Sequence, residues 1–134
     1  MDSDQYQPPL ISYPPGVDPS QALSLQFISL AGGEARAILK IGEQFRGWPG
    51  MAHGGIIGAL LTEAMVRAAE NLRPGRAALL TFELDFLKPV LLEWELAARG
   101  RVLGTEGGMV RAEAELYRQD GSALLAKASG TLAY

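Results

Sequence analysis

One segment limits the fold more than any other: IIGALLTEAMVRAAENL, residues 56–72 after His53-Gly54-Gly55, is apolar or small almost all the way round a helix. On a 100° wheel Ile57, Leu61, Ala64 and Ala68 share one face, and Gly55, Gly58, Thr62, Met65 and Ala69 share a second. A helix of that kind, in a chain of 134 residues, has to be surrounded by the rest of the molecule. Its residues are good helix formers for about five turns, and Pro74-Gly75 ends it. The longest uncharged run, residues 47–62, stops at Glu63 and falls short of the ~20 residues that span a bilayer, so no membrane segment is expected.

What surrounds the helix is β-structure. LSLQFISLAGGEARAILKIG predicts strands near 23–31 and 34–42 around the turn Ala31-Gly32-Gly33-Glu34. Residues 43–52 carry Gly47, Pro49 and Gly50 and are expected as loop. After the helix, AALLTFELDFLKPV alternates Phe82, Leu84 and Phe86 with Thr81, Glu83 and Asp85, the two-residue period of a strand with one covered face. Further strands are expected near 91–104, 108–118 and 122–133, the last two joined at Asp120-Gly121. Residues 1–21, with Pro8, Pro9, Pro14, Pro15 and Pro19, are expected as an extended arm, and 22–134 as a single domain. The economical architecture is α+β: an antiparallel sheet of five to six strands wrapped around one long central helix.

Composition narrows the chemistry. Twelve basic against fifteen acidic residues, with no basic cluster beside aromatics, give no support to nucleic-acid binding. There is no cysteine, hence no disulfide, thiolate metal site or cysteine nucleophile. His53 is the only histidine, which removes multi-histidine metal sites, and no metal or other cofactor is expected. MDSDQYQPPL has neither the basic start nor the apolar stretch of a secretory leader, so a cytoplasmic protein is expected.

GWPGMAHGGIIGALLTEAM, followed by FLKPV and then ELYRQDGSALLAKASGTLAY, resembles the hotdog-fold acyl-CoA thioesterases, in particular the PaaI-like branch of the 4-hydroxybenzoyl-CoA thioesterase superfamily. The resemblance covers about residues 22–133 and is most specific at the glycine-rich loop and helix start. It implies a hotdog fold, a homodimer with sheets joined edge to edge, often doubled to a homotetramer, and acyl-CoA sites between subunits. It implies no cofactor beyond the coenzyme A of the substrate. It also implies that the Gly55 amide polarises the thioester carbonyl and that His53 orients the loop or the thioester. Gly47, Trp48, Gly54 and Gly55 are the substrate-binding candidates, with Trp48 covering either an acyl pocket or a dimer seam. Physical chemistry favours the same place, because unpaired amides and the positive end of a helix dipole meet there.

The sequence departs from the family at one point. Nine residues after the histidine the family carries an acid that serves as general base or nucleophile, and this chain has Thr62. Glu63 is the nearest carboxylate, but adjacent helix positions point about 100° apart. Arg67, four residues on, offers Glu63 an ordinary helix ion pair. The site candidates are therefore His53, Gly55, Thr62 and Glu63, with Lys88, Arg99, Arg101 and Arg111 as possible contacts for CoA phosphates. Hydrolysis of an acyl-CoA thioester leads. A module that binds acyl-CoA without cleaving it is the alternative that Thr62 favours, and a ligand-free structural oligomer is the third. Dehydratase chemistry lacks its loop histidine, and a serine hydrolase lacks the Gly-X-Ser-X-Gly elbow.

Overall fold

The computed structural model describes residues 27–30 and 32–134. The arm expected over 1–21, the first part of the strand expected near 23–31, and Ala31 of its turn lie outside the described residues. The elements are β1 (Ile28–Leu30), β2 (Glu34–Leu39), a single 3-10 turn (Glu43–Phe45), α1 (Gly54–Leu72), β3 (Ala78–Phe86), β4 (Leu96–Glu106), β5 (Met109–Arg118) and β6 (Leu124–Ala133). All strand pairs are antiparallel, in the order β1-β2-β4-β5-β6-β3. The sheet therefore has six strands, with α1 held against one face.

The helix lies close to the sheet because the sheet offers it no large side chains at the crossing point. Ala35 of β2, Gly100 of β4, Ala114 of β5 and Ala128 of β6 stand opposite one another in successive strands and form a row of small residues beneath α1. At Gly100 the fit is against main chain: a Cβ there would overlap the Ala64 carbonyl of α1. Larger residues close the core around this row. Ile41, Ile56, Leu60, Leu61, Met65, Leu96, Leu116, Leu125 and Leu132 are fully buried. Burial of this apolar surface is the main force that holds helix to sheet.

The expected wheel is half right. Ile57, Leu61, Ala64 and Ala68 are buried against the sheet. On the second face Met65 and Ala69 are buried, Gly58 and Thr62 are half-covered, and Gly55 is exposed. A single chain thus buries the sheet-facing side of α1 along its length and leaves the outer side of its first turn open.

Two strand boundaries differ from expectation. The strand expected near 91–104 starts only at Leu96, because residues 91–93 turn with Glu93 in the left-handed region at φ 64°. The strand expected to reach 42 stops at Leu39. The Asp120-Gly121 hairpin forms as expected. Hydrogen bonds from the Ser122 hydroxyl and from the Ser122 N–H, the latter at 2.8 Å, hold the Asp120 pKa below the usual carboxylate range. No helix among the described residues is long and apolar enough to cross a membrane.

The outer face of the sheet is ionic. Arg99 pairs with Glu115 at 2.9 Å, Arg101 pairs with Glu113, and Arg36 donates to the Tyr117 hydroxyl at 3.3 Å. β1 and β3 are the edge strands of the sheet, and on β3 Leu80, Phe82 and Phe86 remain exposed.

Two glycine substitutions separate the close approach from ordinary packing. Gly100→Ala is expected to cost about 3 kcal/mol in urea unfolding, since main chain cannot step aside. Gly58→Ala places a Cβ 3.6 Å from Leu84 and 3.8 Å from Phe82, ordinary contacts, and is expected to gain up to about 1 kcal/mol from helix propensity.

Candidate active site

The start of α1 is built by the glycine-rich segment before it. Residues 46–52 fold into a tight hairpin: Arg46 bridges to Ala52, the Gly47 N–H donates to the Met51 carbonyl at 2.8 Å, and Trp48-Pro49-Gly50 form the tip with Gly50 at φ 78°. The segment after β3 clamps this hairpin. The Ala52 N–H donates to the Val90 carbonyl at 2.8 Å, and the Leu92 N–H donates to the Gly50 carbonyl at 3.0 Å. The loop expected over 43–52 is therefore ordered by main-chain hydrogen bonds that the sequence does not advertise.

His53 is the N-cap of α1, in extended backbone conformation at φ −69° and ψ 134°. Its N–H donates to the Phe45 carbonyl at 2.8 Å, and its Nδ1 accepts the Gly55 N–H at 2.9 Å. A ring nitrogen that accepts carries no proton, so the neutral imidazole keeps its proton on Nε2. The His53 carbonyl accepts from Ile56 at 3.1 Å and Ile57 at 3.3 Å. Among the described residues nothing accepts from the Gly54 N–H.

That inventory moves the candidate donor by one residue. Gly55, expected to present its amide to a carbonyl, has that amide committed to the imidazole, whereas Gly54 has an uncommitted one. Gly47, Trp48, Pro49, Ala52, His53 and Gly54 line an open groove over it. Trp48 stands 77% exposed at the lip. Phe86, at the end of β3, covers the other side: a Cβ on Gly54 would lie 3.2 Å from the Phe86 ring. Sequence alternation places Phe86 on the covered face of β3 but does not reveal that its ring touches the helix start.

The remaining candidates lie apart from this groove. Thr62 is eight residues along α1 from Gly54, about 12 Å of helix rise, and is half-buried. Glu63 points elsewhere: its Oε1 accepts from Arg67 Nε at 3.2 Å, and its side chain is 17% exposed. The structure does not bring Glu63 to the helix start, and the i,i+4 ion pair accounts for its position. Arg99 and Arg101 are bound to carboxylates on the outer face of the sheet, and Arg111 shares that face. Lys88 is exposed just beyond β3. No cluster of three metal-binding side chains occurs among the described residues.

The cap sets a measurable cost. His53→Ala is expected to lower stability by about 1 kcal/mol in thermal or urea unfolding, and His53→Asn, whose side-chain oxygen can accept from the same Gly55 amide, is expected to recover most of it.

Known proteins share this arrangement of helix and sheet. A model of the thioesterase superfamily matches residues 49–124, more than half of the sequence. Among solved structures, the Escherichia coli PaaI protein of the phenylacetic acid degradation operon superposes with a TM-score of 0.78 at 22% identity, covering 85% of this chain and 81% of that one. A mutant of the phenylacetic acid degradation protein PaaI from Thermus thermophilus gives 0.76 at 26%, covering 85% and 96%. A Streptococcus mutans protein bound to acetyl CoA gives 0.74 at 20%, covering 81% and 86%. The hotdog architecture is common to this chain and these structures. No curated protein matches the sequence.

Proposed function

The chain belongs to the thioesterase superfamily, and from that premise we propose that it hydrolyses an acyl-CoA thioester to free acid and CoA, with the carbonyl polarised at the start of α1. The observation that carries this reading is the uncommitted Gly54 amide beneath an open groove, at the positive end of a 19-residue helix. Attack on a thioester carbonyl puts negative charge on its oxygen, and a fixed N–H at a helix start stabilises that charge without having to reorganise. Glycine at 54 lets the acyl group reach the amide. His53 Nε2–H is a second donor for the ligand, and its Nδ1 keeps the first turn rigid. The acetyl CoA held by the Streptococcus mutans neighbour supports CoA thioesters as the substrate class.

One chain does not complete the site. Gly54 and Thr62 are separated by about 12 Å of helix and cannot act on one carbonyl together. The free β3 edge, with Leu80, Phe82 and Phe86 exposed, supports pairing with a second copy. Such pairing would set the helix start of one chain beside the α1 face of the other. A cytoplasmic homodimer is part of the same proposal.

Thr62 favours a second reading, an acyl-CoA binding module. A hydroxyl is a poor base unaided, and among the described residues no carboxylate lines the groove. In a panel of short, long and aromatic acyl-CoA esters, wild type is expected to release thiol from at least one. Thr62→Asp is expected to raise that rate roughly tenfold or more by supplying a general base. Glu63→Gln is expected to leave kcat/KM within about twofold. Tight binding with the ester recovered intact selects the second reading, and neither binding nor release across the panel overturns both.

A further inference from the structure

We infer that Phe86 sets the length of the acyl group this site takes: its ring closes the seam between α1 and β3 beside Gly54, so an acyl chain that enters from the groove stops there. The inference rests on the thioester reading and adds the substrate class to it, a short, uncharged acyl group. A thioester whose oxygen sits on the Gly54 amide has the CoA arm on one side of its carbonyl and the acyl group on the other. The open lip at Trp48 and Pro49 admits the bulky arm, which turns the acyl group toward β3.

What it meets there is the Phe86 ring. Three ring atoms lie 3.2, 3.6 and 3.9 Å from where a Cβ on Gly54 would stand, so even one added carbon is crowded at the helix start. One turn along α1 the seam is wider: a Cβ on Gly58 would make only ordinary contacts, 3.6 Å from Leu84 and 3.8 Å from Phe82. The seam thus continues past Phe86 as a slot with glycine on the helix side and Leu84 and Phe82 on the strand side. Among the described residues no lysine, arginine or carboxylate belongs to the groove or to these slot walls. A charged acyl group would lose its hydration there without gaining a partner.

The strand holds the ring in place, and the core does not. Phe86 is paired with Ala126 of β6, and the Leu87 and Lys88 N–H groups both donate to the Leu125 carbonyl, at 2.9 and 3.1 Å. The main chain at position 86 is therefore fixed. The side chain is nevertheless 56% exposed and stands outside the buried cluster, so a smaller residue deepens the site without emptying the core.

The test is the acyl-chain profile of wild type, Phe86→Ala and Phe86→Leu over acetyl, butyryl, hexanoyl, octanoyl and decanoyl CoA. It is read as kcat/KM for thiol release and, by calorimetry, as affinity, with circular dichroism to confirm that each protein is folded. Wild type is expected to favour butyryl over decanoyl by at least about tenfold, because a methylene that a pocket cannot hold costs about that much. Phe86→Ala is expected to raise the decanoyl-to-butyryl ratio by about tenfold or more, and Phe86→Leu by a smaller factor. A merely structural role for the ring would lower the values for all esters together and leave the ratio alone. Wild type that takes decanoyl as well as butyryl, or takes only aromatic esters, or folded variants whose ratio does not rise, overturns the role of Phe86 and leaves the thioester reading standing. Wild type that neither binds nor cleaves any acyl-CoA overturns the thioester reading and this inference with it.

Discussion

The fold depends on one contact between two main chains, where the Ala64 carbonyl of α1 rests on Gly100 of β4. The flanking Ala35, Ala114 and Ala128 extend that contact into a shallow bed across four strands. A helix seated this deeply buries Ile56, Leu60 and Leu61 without needing long side chains from the sheet. Its position is then fixed in depth as well as direction. Everything at its N-terminus follows, because the first turn emerges beside the end of β3, under the Phe86 ring and against the clamped hairpin of residues 46–52.

The chemistry of the proposed site is mostly backbone chemistry. His53 contributes a ring, but its hydrogen bonds hold Gly55 and tie its own N–H to Phe45. What remains for a ligand is one amide, a helix dipole and an open lip. Such a site polarises an oxygen well and moves protons poorly. On the proposed reading, the threonine at 62 sharpens that imbalance, because the acid that the resemblance implies at that position is absent.

Much of the fold was legible because periodicity is local. The all-round apolar helix, the alternation in β3 and the Asp120-Gly121 turn are each visible within a short window of sequence, and the sheet wrapped around the helix follows from the need to cover it. The strand order is not local, since β3 pairs with β6, far along the chain. The start of β4 was misplaced because Glu93 adopts a left-handed turn that its residue type disfavours, and hydrogen bonds from outside the segment impose it. His53-Gly54-Gly55 was legible as the segment that leads into α1. Which amide stays uncommitted could not be read from the sequence, because it is decided by the rotamer of one imidazole. The ion pair of Glu63 with Arg67 was legible from spacing alone; the ring of Phe86 against Gly54 was not, because it joins residues distant in sequence.

Gly54 and Gly100 differ in what they leave to divergence. The neighbour of Gly100 is a carbonyl of the helix, which no exchange of side chains can shrink, so position 100 has no compensating partner. The neighbour of Gly54 is an aromatic ring at position 86. A wider residue at 54 becomes admissible once 86 is smaller, so in homologous chains these two positions should change together, and position 100 should not change at all.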